Sequence, residues 1–215
     1  MKFRILVPAV AALLAACGTQ APAPSWRAGA ADSLQRYSIS YLKGEARADT
    51  DFEHARSELA STGQPGMVAR AELTRCAVQV ASLVFDACQE FDRLRRDAPP
   101  AERAYADYIA GRATPADVPL VPEQHRAIAG GREDAATLQA ITDPVSRLVA
   151  AGVLLRTGRA APQVVQVAVD TASQQGWRRP LLAWLGVQAQ RAERSGQKEE
   201  AERIRRRMAL VTEGH

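Results

Sequence analysis

The side chains with the widest chemistry in this chain of 215 residues are three cysteines and three histidines. They are Cys17, Cys76, Cys88, His54, His125 and His215. Thiolates can be oxidised to disulfides or bind metals, and imidazoles bind metals or transfer protons. His54 and Glu58 lie one helical turn apart and could supply two ligands, but zinc takes three or four protein ligands. We therefore predict a solvated His–Glu pair and no metal site.

Sequence motifs of catalysis are missing from the chain. It contains no HExxH, GxSxG, P-loop or GxGxxG pattern. The turns at Gly63–Gly66 and Gly130–Gly131 lack the lysine and hydroxyl residue that a phosphate-binding loop requires. The carboxylates are scattered, and the sequence places no pair of them across a cleft. These observations predict no catalytic residue, no cofactor and no enzymatic activity.

The first cysteine ends a segment with the features of an export signal. The basic start Met1–Arg4 precedes the apolar run Ile5–Ala16, which is shorter than the roughly 20 residues that span a bilayer. The segment Leu14–Cys17 reads Leu-Ala-Ala-Cys and resembles the lipobox of bacterial lipoproteins. The resemblance implies removal of residues 1–16, diacylation of the Cys17 thiol and acylation of the new amine. The alternatives are an ordinary secretory signal with a chance cysteine, or a buried N-terminal helix.

The residues after Cys17 indicate where the processed chain would reside. In lipoproteins of this type an aspartate after the cysteine commonly retains the protein in the inner membrane, and this chain has Gly18. The resemblance thus implies the outer membrane, with the body facing the periplasm or, alternatively, the cell surface. Residues 17–30 predict a lipidated cysteine followed by a flexible tether, in which Trp26 either contacts the lipid interface or packs weakly. Processing leaves 26 basic and 24 acidic residues, a formal charge of +2, so nucleic-acid binding is not predicted.

Cys76 and Cys88 are the two thiols left after Cys17 is lipidated, and an oxidising compartment favours a disulfide between them. A continuous helix would separate them by about 18 Å, whereas a disulfide needs Cα atoms about 4.4–6.8 Å apart. The helix carrying Cys76 must therefore end near Ala81–Ser82, and residues 83–87 must double back. The alternative is two buried free thiols, since Cys76 lies on an apolar helical stripe.

Helical periodicity recurs over residues 31–212 and strand-like alternation does not, while only 5% of residues are aromatic. We therefore predict a single all-α domain. Thr50–Glu53 fits a capping box that opens a helix ending near Ser61, and Asp143-Pro144 fits a cap and first helical position. Further helices are predicted over about 66–81, 100–111, 122–129 and 144–158, with a proline-broken connection over 112–121.

The C-terminal part of the chain contains a short internal sequence repeat, which we call the internal echo. Arg156–Gly158 recurs 38 residues later as Arg194–Gly196, and Gly176 aligns with Gly214 at the same offset. Small residues also recur at Ala189, Gly196 and Ala201. A helix–turn–helix unit of about 34–40 residues resembles tetratricopeptide-type repeats. The resemblance implies stacked antiparallel hairpins, clearest over residues 144–212, and the alternative is an irregular bundle whose helices end in glycine.

Two groups of residues are candidates for contact with a partner. The aromatic group is Trp177, Trp184, Tyr105 and Tyr108, because tryptophan and tyrosine are common interface anchors; packing between hairpins is the competing interpretation. The basic run Arg203–Arg207 is interpreted as a solvated face on which Glu199 pairs with Arg203 and Glu202 with Arg206. Contact of this run with anionic lipids or peptidoglycan is the alternative.

These features predict an outer-membrane-anchored periplasmic lipoprotein that acts as a non-catalytic interaction or scaffold module of the cell envelope. The predicted partners are the membrane, through the lipid on Cys17, and an envelope protein, by analogy with helical-repeat lipoproteins. One alternative is an envelope enzyme acting on peptidoglycan or lipid, with two carboxylates or a histidine cluster in a cleft. A second is a small-ligand or lipid carrier with a closed apolar cavity.

Overall fold

The computed structural model describes residues 25–213, and within them the chain forms eleven α-helices and no strand. The helices are α1 (Ser25–Lys43), α2 (Ala48–Ala60), α3 (Pro65–Ala81), α4 (Gln89–Leu94), α5 (Pro100–Ile109), α6 (Glu123–Ala129), α7 (Ala135–Gln139), α8 (Pro144–Arg156), α9 (Pro162–Gln174), α10 (Arg178–Arg194) and α11 (Lys198–Glu213). The prediction of an all-α chain is confirmed. The predicted export signal, Cys17, Gly214 and His215 lie outside the described residues.

The predicted start of α8 is confirmed. Asp143 precedes α8, its Oδ2 accepts a hydrogen bond from the Ser146 amide at 2.7 Å, and Pro144 is the first helical residue. Proline also opens α3 and α5. These positions suit proline because the first helical amides have no intrahelical acceptor to lose.

Two predicted boundaries are wrong. The helix assigned to a Thr50 cap begins three residues earlier, with Arg47 as its cap, so Thr50 lies inside the first turn of α2. The predicted tether overlaps α1, which starts at Ser25, and Ala30 is buried in the core. This part of α1 consists largely of small residues, so its sequence shows no stripe of large apolar side chains. The small side chains nevertheless let α1 pack closely on α2. A Cβ on Gly29 would lie 2.9 Å from Oε1 of Glu58.

Neighbouring helices form antiparallel hairpins around α3, which contacts α1, α2, α4, α5 and α8. The C-terminal helices then return to the N-terminal hairpin, because α10 packs on α1. Arg179 Nε donates to the Tyr41 carbonyl at 2.9 Å, and Arg178 Nη2 donates to the Gly44 carbonyl at 3.1 Å. The arrangement is therefore a bundle of helical hairpins that closes on itself.

Helices α3 and α8 approach each other closely at Gly152 of α8. A Cβ at this position would lie 2.5 Å from the Val80 carbonyl oxygen of α3. Only glycine lets the two helices pack at this separation, since a methyl group would force the backbones apart. Gly152 thus brings the end of α8 beside the end of α3.

The internal echo has a matching local structure at both sites. Helices α8 and α10 end at Arg156 and Arg194, and a hydroxyl residue follows each of them. The Thr157 hydroxyl donates to the Val153 carbonyl at 2.8 Å, and the Ser195 hydroxyl donates to the Arg191 carbonyl at 2.6 Å. The next residue is a glycine with φ of +72° in one turn and +73° in the other. Both turns therefore use the positive φ that glycine adopts without steric cost.

Candidate functional site

The disulfide between Cys76 and Cys88 is present, with Cα atoms 6.0 Å apart. As predicted, α3 ends at Ala81 and the chain then reverses, so the alternative of two free thiols is wrong. The reversal is made by Leu83, whose φ is +61°, and is closed by a hydrogen bond from the Val84 amide to the Gln79 carbonyl at 2.9 Å. A leucine in this conformation is uncommon, and the disulfide holds the segment after it against α3.

A pocket of about 240 Å³ lies beside this disulfide, and we call it the disulfide pocket. It is enclosed by α3, the segment 85–88, α4 with Arg95, the end of α5 and the end of α8. Its apolar residues are Val80, Phe85, Ala106, Ile109 and Ala110. Its charged residues are Arg95, Arg112, Arg156, Asp86 and Asp92. The pocket therefore combines an apolar floor with a charged rim.

The charges on the rim differ in whether they are already paired. Arg95 forms an ion pair with Asp107 and has a second carboxylate, that of Asp92, at 3.5 Å. Arg112 shares Asp107, with Nη2 3.2 Å from Oδ1. The Arg156 guanidinium instead stands over the Phe85 ring, 5.4 Å from its centroid, and makes no ion pair or hydrogen bond within residues 25–213. A cation over an aromatic face is stabilised by the ring quadrupole but keeps its hydrogen-bond donors available.

The aromatic residues considered for partner contact lie in the core. Trp184 is completely buried, and its Nε1 donates to the Ala81 carbonyl at 3.2 Å, at the end of α3. Trp177 and Tyr108 are also buried, and Tyr105 packs partly buried against the same core. Their rings join helices to one another, so in this structure they do not form a surface for a partner.

His125 of α6 lies in a closed aromatic cluster that the sequence did not indicate. Its side chain is only 1% exposed, and its ring centroid is 5.0 Å from that of Tyr108 and 5.4 Å from that of Tyr105. Burial lowers the pKa of His125 to about 4, against a smaller opposing effect of the Asp143 charge. Burial also raises the pKa of both tyrosines. All three groups are therefore neutral near pH 7, and the cluster is part of the core.

His54 and Glu58 lie beside each other as predicted, but only the imidazole is exposed and Glu58 is half-buried. Nδ1 of His54 is 3.8 Å from Oε2 of Glu58, and the imidazole is 63% exposed. Ser33 adds a contact between its hydroxyl and His54 Nδ1 at 3.2 Å. Over the part of the chain that the structure describes, no three His, Cys, Asp or Glu side chains are placed to share a metal ion.

The basic run on α11 is exposed, but its predicted ion pairs are wrong. Arg203 pairs with Glu200 one turn earlier, and Arg205 pairs with Glu193 of α10. Glu200 lies three residues before Arg203 on the same helix and takes the place of the predicted Glu199. The pairing of Glu202 with Arg206 is not formed either. The run nevertheless remains a solvated face, as interpreted from the sequence.

Comparisons with known proteins identify no relative of this chain. No protein-family model matches the chain, and no curated protein or solved structure matches it. None of the helices within residues 25–213 is both long and apolar enough to cross a membrane.

Proposed function

We propose that this chain is an outer-membrane lipoprotein, anchored through Cys17 and facing the periplasm, whose helical body binds another envelope protein without catalysing a reaction. The N-terminal residues supply the anchor in this proposal, and the hairpin bundle supplies a surface that includes the disulfide pocket. The disulfide pocket is the part of that surface where an apolar floor and an unpaired cation occur together.

The observation that carries the proposal is the disulfide. Structural disulfides are rare in cytosolic proteins and persist in oxidising compartments such as the periplasm. The chain has three cysteines, and the two that are not in the lipobox-like segment are bonded to each other. Cys17 is left as the one cysteine for acylation. The disulfide therefore supports export, and export supports the interpretation of Leu14–Cys17 as a lipidation signal.

The anchor is tested by replacing its cysteine. We expect Cys17→Ser to abolish incorporation of labelled palmitate in a host with an outer membrane, because the acyl chains attach to this thiol and to the amine that cleavage frees. The matched variant Gly18→Asp should keep the label but move the protein to the inner-membrane fraction. Palmitate on the Cys17→Ser variant, or no label on the unaltered chain, would show that the lipobox interpretation is wrong.

The interaction is tested on the native lipidated chain with an affinity tag after His215. Mild-detergent extraction of outer membranes should recover the chain with one envelope protein in a fixed stoichiometry. Membranes from cells with the untagged chain control for proteins that bind the resin. Recovery of the tagged chain as a monomer without a partner, at the same yield, would contradict the interaction function and favour an enzyme or a carrier.

A further inference from the structure

We infer that the disulfide pocket binds the C-terminal carboxylate of a partner polypeptide, with Arg156 binding the carboxylate and the apolar floor contacting the last side chain. This inference rests on the proposed interaction function, since it names the chemistry by which the partner is recognised.

Arg156 has no acidic partner among the described residues at the pocket. Its guanidinium is half-buried beside Phe85 and lacks a carboxylate partner within the described residues. It is not needed as a helix cap, because the amides of Thr157, Gly158 and Arg159 already bond the last carbonyls of α8. A planar guanidinium with free donors is the group that binds carboxylates most specifically, through two parallel hydrogen bonds.

The floor of the pocket is small and apolar. Val80, Ile109, Ala106 of α5 and Ala110, which follows α5, form an apolar surface in a volume of about 240 Å³. Pockets for drug-sized ligands occupy about 300–1,000 Å³, so this pocket accepts only the short end of a larger molecule. The last residue of a polypeptide, with a small apolar side chain and a free carboxylate, has matching size and charge.

Among the described residues, the other charged side chains on the rim include one unpaired carboxylate, that of Asp86. Asp92 and Asp107 are engaged by Arg95 and Arg112. Asp86 lines the pocket and has no ion pair in the described part of the chain. An arriving carboxylate is repelled by Asp86, whereas an amine would be attracted to it. The effect of removing the Asp86 charge on ligand binding therefore shows whether the ligand is negatively or positively charged.

The experiment titrates the detergent-solubilised full chain by calorimetry with the dipeptide N-acetyl-Ala-Val, as the free acid and as the C-terminal amide. We expect saturable binding of the acid and about tenfold weaker binding of the amide, since a hydrogen-bonded charge contributes about one decade of affinity or more. Arg156→Gln should weaken binding of the acid by a similar factor, and Arg156→Lys should retain part of it. Asp86→Asn should strengthen it.

The control variant comes from the internal echo. Arg194 occupies the same position at the end of α10 but does not line the disulfide pocket, so Arg194→Gln should bind the acid as the unaltered chain does. Circular dichroism and the thermal midpoint establish that both variants fold. Equal binding of acid and amide, equal affinity of the Arg156→Gln and Arg194→Gln variants, or equally strong competition by inorganic phosphate would overturn carboxylate recognition. Loss of binding in Asp86→Asn would do so as well.

A second readout separates failure of this inference from failure of the proposed function. Arg156→Gln should reduce recovery of the partner from outer membranes, and Arg194→Gln should not. Undiminished recovery with Arg156→Gln would leave the interaction function standing and place the partner elsewhere on the bundle. Absence of any partner on the unaltered chain would instead contradict the proposed function itself.

Discussion

Replacing both bonded cysteines, Cys76→Ser together with Cys88→Ser, should lower the free energy of unfolding by about 3 kcal/mol. The bond joins residues 12 positions apart, so it removes many conformations of this segment from the unfolded chain. It also holds Phe85 and the rest of segment 85–88 at the disulfide pocket. The double replacement should therefore weaken the binding of carboxylate ligands as well as lower the stability. Urea unfolding followed by circular dichroism measures the first effect, and calorimetry measures the second.

Reduction supplies the control for this prediction. Dithiothreitol should bring the unaltered chain to the stability of the double variant and should leave the double variant unchanged. If the mature lipidated protein, denatured without reductant, reacted with two equivalents of a thiol probe, the bond would be absent in the cell. Equal stability of the oxidised and reduced chains would show that the bond does not constrain the unfolded state.

The features that the sequence predicted correctly are those set by residues close together in the chain. Asp143-Pro144 marks the start of α8 because the cap and the proline act on adjacent backbone groups. The end of α3 is predicted because a continuous helix would hold Cys76 and Cys88 too far apart to form a disulfide. The turns at Gly158 and Gly196 follow from the positive φ that each requires.

The features that the sequence did not predict depend on distant partners. Trp184 was a candidate surface residue because nothing near it in sequence shows that its Nε1 meets the Ala81 carbonyl, 103 residues away. Arg156 was recognised as part of a repeated turn, but the disulfide pocket forms only where α3, α5 and α8 meet. The early start of α1 was missed because alanine and glycine pack closely without producing a hydrophobic stripe.

The stability of the chain should fall by about 3 kcal/mol between pH 7 and pH 4 because of one buried imidazole, that of His125. Burial lowers the pKa of His125 from 6.5 to about 4 in the folded chain. Between these values the unfolded chain takes up a proton and the folded chain does not, so acid favours unfolding. The contribution of His125 is fully present above pH 6.5 and is lost as the pH falls to 4.

Two aspartates and two tyrosines with shifted pKa values act outside this range. The pKa values of Asp117 and Asp134 are lowered from 3.8 by hydrogen bonds from Thr114 and Thr137, so the stability they contribute is lost only below about pH 4. The raised pKa values of Tyr105 and Tyr108 affect stability only at high pH. A slope between pH 4 and 6.5 that disappears in His125→Gln is therefore due to His125. The matched variant His54→Gln, which removes an exposed imidazole, should keep the slope.

The structure also indicates where the acid-sensitive opening should begin. Nδ1 of His125 has no hydrogen-bond partner in the described residues, and the two tyrosine rings pack against the imidazole. A protonated imidazole would be left without an acceptor, and such a buried charge is unstable. Since α6 is a short helix of seven residues, moving it into solvent is the least costly way to hydrate the charge. Amide hydrogen exchange at pH 4.5 should therefore accelerate in α6 before it does in α8, and simultaneous acceleration in both helices would contradict a local opening at His125.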